Sequence, residues 1–163
     1  MGIYVISAFP GLGKTYATQK LVEEGFNVSD SDSSHFNKEH FPGNYVEHIK
    51  SKIQDYRDMN TSSAKFIFVS THKEVRDALI ENGIKFVIFY PDVGSKDDIF
   101  KRYEERGSNE AFIKHLETNY DSWIEEIKED VAIENKYPVT NGVFLYDVVR
   151  STFIDNESVS GLV

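Results

Sequence analysis

Eight residues, Ala8-Phe9-Pro10-Gly11-Leu12-Gly13-Lys14-Thr15, constrain this chain more than any others. They lie between a short β-branched apolar run, Ile3-Tyr4-Val5-Ile6, and a stretch of good helix formers from Lys14 to Glu24 that Gly25 closes. The first run reads as a buried strand and the second as a helix with a glycine stop. Gly11 and Gly13 let the intervening backbone curl until successive N–H groups point inward at an anion. The positive end of the following helix adds to that attraction. The segment follows the pattern G-x-x-x-x-G-K-[ST] except at its first position, where Ala8 stands, a mild departure if the backbone there is ordinary. Residues 8–15 are therefore expected to hold a nucleoside triphosphate, with contacts from Pro10, Gly11, Leu12, Gly13, Lys14 and Thr15. Lys14 can bridge the outer phosphates, and the Thr15 hydroxyl is placed to ligate Mg²⁺.

The rest of the chain repeats the alternation of strand and helix. Phe26 to Asp30, Lys65 to Ser70, Ile84 to Tyr90 and Tyr137 to Thr140 read as further strands, with Pro91 expected to end the fourth. After Pro42, apolar residues at Val46, Ile49, Ile53 and Tyr56 are spaced 3, 4 and 3, which is an amphipathic helix. Helices are also expected over His72–Asn82, Lys96–Glu105 and about Asn109–Glu129; the tail from Val143 is ambiguous between helix and strand. Strands apolar enough to be covered on both faces argue for a parallel α/β sheet. In such sheets ligands bind at the C-terminal ends of the strands. With 163 residues and no repeat or linker-like run, the whole of 1–163 reads as one domain.

Composition narrows the function further. Cysteine is absent, which excludes disulfide scaffolds, zinc knuckles and cysteine nucleophiles. Eighteen basic residues against 27 acidic ones, a net charge of -9, argue against a broad electrostatic grip on nucleic acid. No apolar run reaches the ~20 residues of a membrane span. The N-terminus lacks the basic region of a secretory signal, and Ile6 stands where a myristoylation signal needs Ser or Thr. A cytoplasmic protein without membrane attachment is expected; oligomeric state is left open. The five histidines are scattered, so surface or loop roles are the default over metal ligation.

The stretch Phe9 to Thr15 resembles the loop of the P-loop kinases of small molecules and nucleotides. That group includes adenylate kinase-like nucleoside monophosphate kinases and polynucleotide 5′-hydroxyl kinases. Lys101-Arg102-Tyr103-Glu104-Glu105-Arg106-Gly107 looks like the group's lid, in which arginines a turn apart close over the transferring phosphoryl group. The resemblance implies a single-domain P-loop kinase fold, a five-stranded parallel sheet with helices on both faces and a short helical lid at about 100–112. It also implies ATP as co-substrate, Mg²⁺ as cofactor, and small-molecule nucleotide substrates, with nucleic acid entering only as a 5′-end acceptor. Short, acidic kinases of this kind also look like those carried by bacteriophages. Independently of the resemblance, Arg102 and Arg106 are spaced i, i+4 and project from one helix face, with Gly107-Ser108-Asn109 as a hinge. Neighbouring Glu104 and Glu105 leave open an ordinary solvated face. Asn141-Gly142 matches the place where the group's backbone contacts adenine, or is a plain turn.

The acceptor side, residues 30–64, admits two readings. Asp30 or Asp32 could take a proton from an acceptor hydroxyl as general base. If the acceptor is already a phosphate, arginines must hold it instead; Arg76 and Arg57 are the candidates, with Ser70 as a further contact. Asp and Ser there also serve as turn residues, and Ser70 and Thr71 as helix caps. Transfer to a nucleoside monophosphate is the leading expectation, with a hydroxyl acceptor (nucleoside, 5′-hydroxyl polynucleotide or small metabolite) as the alternative. A regulatory nucleotide-binding ATPase is the rival from another class. Trp123 and Tyr120 fall on the apolar stripe of their helix and are expected in the core.

Overall fold

Two-residue alternation along the central strands sets the layers. In the computed structural model, which describes residues 2–155, Ile6, Phe66 and Phe68 belong to one buried cluster and Val5, Ile67 and Val69 to another. Successive side chains on a strand point to opposite faces, so these are the two sides of one sheet. The sheet contains β1 (Ile3–Ala8), β2 (Asn27–Asp30), β3 (Lys65–Val69), β4 (Val87–Pro91) and β5 (Lys136–Val139). All neighbours pair in parallel, in the order β2-β3-β1-β4-β5. Six helices connect and follow them: α1 (Lys14–Glu23), α2 (Gly43–Asp58), α3 (Lys73–Glu81), α4 (Lys96–Glu105), α5 (Glu110–Glu129) and α6 (Leu145–Val149). The last continues as a wider π-type turn over Arg150–Asp155.

Tyr45, Ile49 and Tyr56 of α2 and Val75 and Leu79 of α3 cover the Val5–Ile67–Val69 face. The opposite face packs with Ala17 and Leu21 of α1 and Leu145 and Val149 of α6 into the larger cluster, which Leu116, Tyr120, Ile124 and Ile127 of α5 join. The fold class and the two-sided covering expected from sequence are thus present, in one domain. Met1 and residues 156–163 of that expected 1–163 span lie outside the described residues.

Boundaries differ from expectation where register, not hydrophobicity, decides them. β4 begins at Val87, because its pairing with β1 starts at Ile6↔Val87; Ile84 and Phe86 are packed against the α2–α3 side without joining the ladder. Pro91 closes that strand as expected, itself its last residue, opposite Val139. Pro138 is tolerated in β5 because that strand sits at the sheet edge, where one side of the ladder is unused. The ambiguous tail is helical. Its first N–H, of Leu145, donates to the carbonyl of Leu12 at 2.8 Å, so the phosphate loop itself starts α6. At the end of α5, Lys136 donates to the carbonyls of Ile127 (3.2 Å), Lys128 and Asp130 (3.0 Å). One ammonium thereby satisfies the orphan acceptors of a 20-residue helix.

Candidate active site

The C-terminal ends of β1, β2 and β3 open into one cleft of about 1150 Å³. Residues 8–15 form its floor as a strand–loop–helix. Gly11 and Gly13 have φ of +90° and +87°, a backbone state that side chains disfavour by about 1–2 kcal/mol. Gly11 has a second constraint: a Cβ there would come 2.7 Å from Ile99 Cγ2. Three contacts brace the loop. The Ala17 N–H donates to Gly13 O at 2.9 Å, Leu145 holds Leu12 O, and Arg102 Nη1 donates to Gly11 O at 2.7 Å.

Lys14 and Asp30 come together from two strand ends. Lys14 Nζ stands 3.3 Å from Asp30 Oδ1, and both side chains are about 30% exposed and line the cleft. Thr15 and Asp32 line it as well. Asp32 is more exposed and lies 3.7 Å from His35 Nε2. Beneath these carboxylates a hydrogen-bonded set ties the strand ends together. The buried Tyr45 hydroxyl donates to Ser31 O (2.7 Å) and accepts from the Ser70 N–H (3.1 Å), while Ser31 Oγ meets His48 Nε2 at 3.3 Å. Burial pushes the Tyr45 phenol far above its ordinary pKa, and burial with nearby Lys52 pulls His48 down. Ser7 Oγ donates to Ser70 O at 3.1 Å, joining β1 to β3 at the same level.

The arginines are distributed differently from what their spacing suggests. Arg102 has one nitrogen on Gly11 O and another on Asp98 (2.6 Å), with its guanidinium 4.3 Å from the Phe144 ring centroid. It is a brace of the phosphate loop. Arg106, the C-cap of α4, lines the cleft and stacks 5.3 Å over Tyr103. Gly107, with φ +70°, ends α4, and the Asn109 side chain caps α5 by accepting from the Ala111 N–H. The expected hinge of the lid is therefore a break between two helices.

Arg76 lines the cleft, but it is 1% exposed and its donors are committed. It gives Nε to Thr71 O (3.1 Å), Nη1 to Asp130 (2.9 Å) and Nη2 to Glu126. Its geometry is that of a buried clamp between α3 and α5 rather than of an anion receptor. Removing one partner from such a pair leaves carboxylates uncompensated. Arg76→Ala is accordingly expected to lower stability by about 3 kcal/mol, read as a lower urea midpoint at unchanged m value. Arg57 is not brought to this cleft at all. It lines a separate cavity with Ile3, Lys50, Asn82 and Lys85, at the N-terminal ends of the strands, because α2 runs back from the acceptor side before β3 begins. Ser70 lines the cleft and accepts from the His72 N–H at 3.3 Å. Asn141 occupies the turn between β5 and α6, outside the residues that line the cleft.

The helix expected over about Asn109–Glu129 is present as α5, but nothing in the sequence assigned it to the cleft. Phe112, His115, Leu116, Trp123, Glu126 and Ile127 all face the cleft. Trp123 is half-buried rather than in the core, and only the packing of α5 beside the loop could reveal that. Among the described residues there is no cluster of three or more metal-ligating side chains, and no helix is long and apolar enough to cross a membrane.

The architecture matches that of a gluconokinase from Sinorhizobium meliloti 1021, with a TM-score of 0.58 over 99% of this chain and 94% of that one, at 16% identity. The chain has a P-loop kinase-like fold. An uncharacterized protein from Eubacterium ventriosum ATCC 27560 is similar at a TM-score of 0.50 and 14% identity, over 96% of this chain and 98% of that one. No protein-family model and no curated sequence matches the chain.

Proposed function

We propose that this protein transfers the γ-phosphoryl group of ATP to a hydroxyl group of a small molecule, with Asp30 as the general base. The observation that carries the reading is the 3.3 Å contact between Asp30 and Lys14. A carboxylate beside the ammonium that holds the outer phosphates is beside the phosphorus to be attacked. The acceptor hydroxyl gives its proton to Asp30 as its oxygen forms the bond to phosphorus, and the bond to the bridging oxygen of ADP breaks in line. Lys14 and the loop N–H groups of residues 11–15 orient the triphosphate and offset its charge. Thr15 would hold Mg²⁺, with Asp30 or Asp32 of the same cleft lining as further oxygen donors, and the ion would neutralise phosphate charge. Arg106, at the cleft mouth, would close on the transferring group. The kinase-like fold supports this chemistry in general terms.

The same geometry weighs against a monophosphate acceptor, the leading expectation from sequence. A phosphate charge about 4 Å from the Asp30 carboxylate would be opposed by about 4 kcal/mol per unit charge at an effective dielectric near ~20. Countering that needs cations beyond Lys14 and Arg106, yet Arg76 is paired with Glu126 and Asp130 and Arg57 lines another cavity. The test is ADP formation from Mg-ATP across nucleoside monophosphates, nucleosides, a 5′-hydroxyl oligonucleotide and sugar acids. Stimulation by hydroxyl acceptors is expected. Stimulation confined to monophosphates would reverse the acceptor assignment, and slow hydrolysis indifferent to every acceptor would favour a regulatory ATPase.

A further inference from the structure

The wall of the cleft opposite the acceptor-side loop is one face of α5. Phe112, His115, Leu116, Trp123, Glu126 and Ile127 recur at helical spacing, so they form a single stripe, and it faces the cleft that holds Lys14 and Asp30. Trp123 is the aromatic member packed against the loop of residues 8–15. Its ring lies 6.4 Å from that of Phe9, the second residue of the phosphate loop, at an interplanar angle of 66°. The His115 ring follows at 5.5 Å and 71°. The Arg76 clamp fixes this face, because Glu126 and Asp130 lie one and two turns beyond Trp123 on the same side of the helix. Trp123, half-buried against the loop, and the exposed His115 ring beside it make a surface for a flat ring.

We infer that Trp123, with His115, forms the acceptor-binding wall of this site and stacks on a nucleobase, so that the hydroxyl acceptor is a nucleoside. The inference rests on the phosphoryl-transfer reading and names its substrate class. Every base has a π-face, and stacking on an aromatic side chain holds it without further polar contacts. A sugar acid would instead require a cation for its carboxylate. The cations lining the cleft near this wall have other engagements: Arg76 as described, Lys73 with Asp77 at 2.6 Å, and Arg106 over Tyr103, where the phosphoryl-transfer reading uses it. The nucleoside can be free or the 5′-terminal unit of an oligonucleotide. The chain's net charge of -9 favours the free nucleoside, whose approach brings no phosphates into a negative field.

Trp123 is the sole tryptophan of the chain, so its emission reports this wall directly. The protein is titrated with nucleosides, a 5′-hydroxyl oligonucleotide and gluconate, with excitation at the red edge of the indole band to avoid base absorption. Saturable quenching by at least one nucleoside, and none by gluconate, is expected; the oligonucleotide arm tells free from terminal nucleosides. Trp123→Leu should raise the acceptor KM by about tenfold or more, with the KM for ATP within about twofold, and Trp123→Phe should recover most of the loss. A merely structural Trp123 would move both KM values and the melting temperature together. No quenching by any base-bearing ligand, or transfer to a baseless acceptor that Trp123→Leu leaves unaltered, overturns the wall and leaves the kinase reading standing. Saturable quenching without any turnover keeps the wall and overturns the kinase reading.

Discussion

Replacing Lys14 by alanine should abolish phosphoryl transfer, with kcat lowered by at least about 10³-fold in an ADP-release assay. The size follows from two effects acting together. A preorganised cation on the transferring phosphoryl group is lost, and one such contact alone is worth about 10²–10³ in rate. The Asp30 carboxylate, 3.3 Å away, also loses its counter-charge and is left to repel the phosphates. Calorimetric titration should show weakened Mg-ATP binding, while the thermal transition stays close to that of the parent because Lys14 is 30% exposed. Near-normal turnover in this variant would remove the phosphate loop from the mechanism.

Asp30→Asn should lower kcat by about 10²–10⁴-fold toward a hydroxyl acceptor, the range expected when a positioned base is lost, and should leave the KM for ATP nearly unchanged. Asparagine keeps the shape and a hydrogen bond but cannot take the proton. Asp32→Asn is the internal comparison. That carboxylate faces His35 and is 55% exposed, so its loss should cost under about tenfold. The pattern is diagnostic because a phosphate acceptor needs no base: equal, small losses in both variants would return the acceptor to a monophosphate.

The phosphate loop was legible because its chemistry is local. Gly11 and Gly13 must adopt positive φ and Lys14 must follow a helix start, and each requirement falls on adjacent residues. The fold class was legible for a related reason, since burial on both faces of a sheet leaves unbroken apolar runs such as Phe66-Ile67-Phe68. Where a run such as Ile84–Tyr90 enters the ladder depends on the neighbouring strand, and hydrophobicity carries no record of that register.

The arginines show the other limit. Arg76 sits after the third strand, where a cation could serve an acceptor, but its charge is consumed by Glu126 and Asp130, 50 and 54 residues further along. Arg57 shares a helix with the acceptor-side residue Tyr45, yet that helix runs along the strands and carries it to their other end, beside Ile3. Trp123 keeps step with the apolar stripe of α5; that it is half-buried against Phe9 at the cleft rather than wholly inside is decided by tertiary packing.

By itself, then, the sequence determined the glycine-rich strand–loop–helix of residues 3–23, the alternation of strands and helices and the absence of cysteine chemistry, because each depends on neighbouring residues or on composition. Only the tertiary structure decided which charges remain for a substrate. An ionic group is available or spent according to what stands within about 4 Å of it, and for Lys14, Arg76 and Arg102 those partners come from other elements or other turns of the chain.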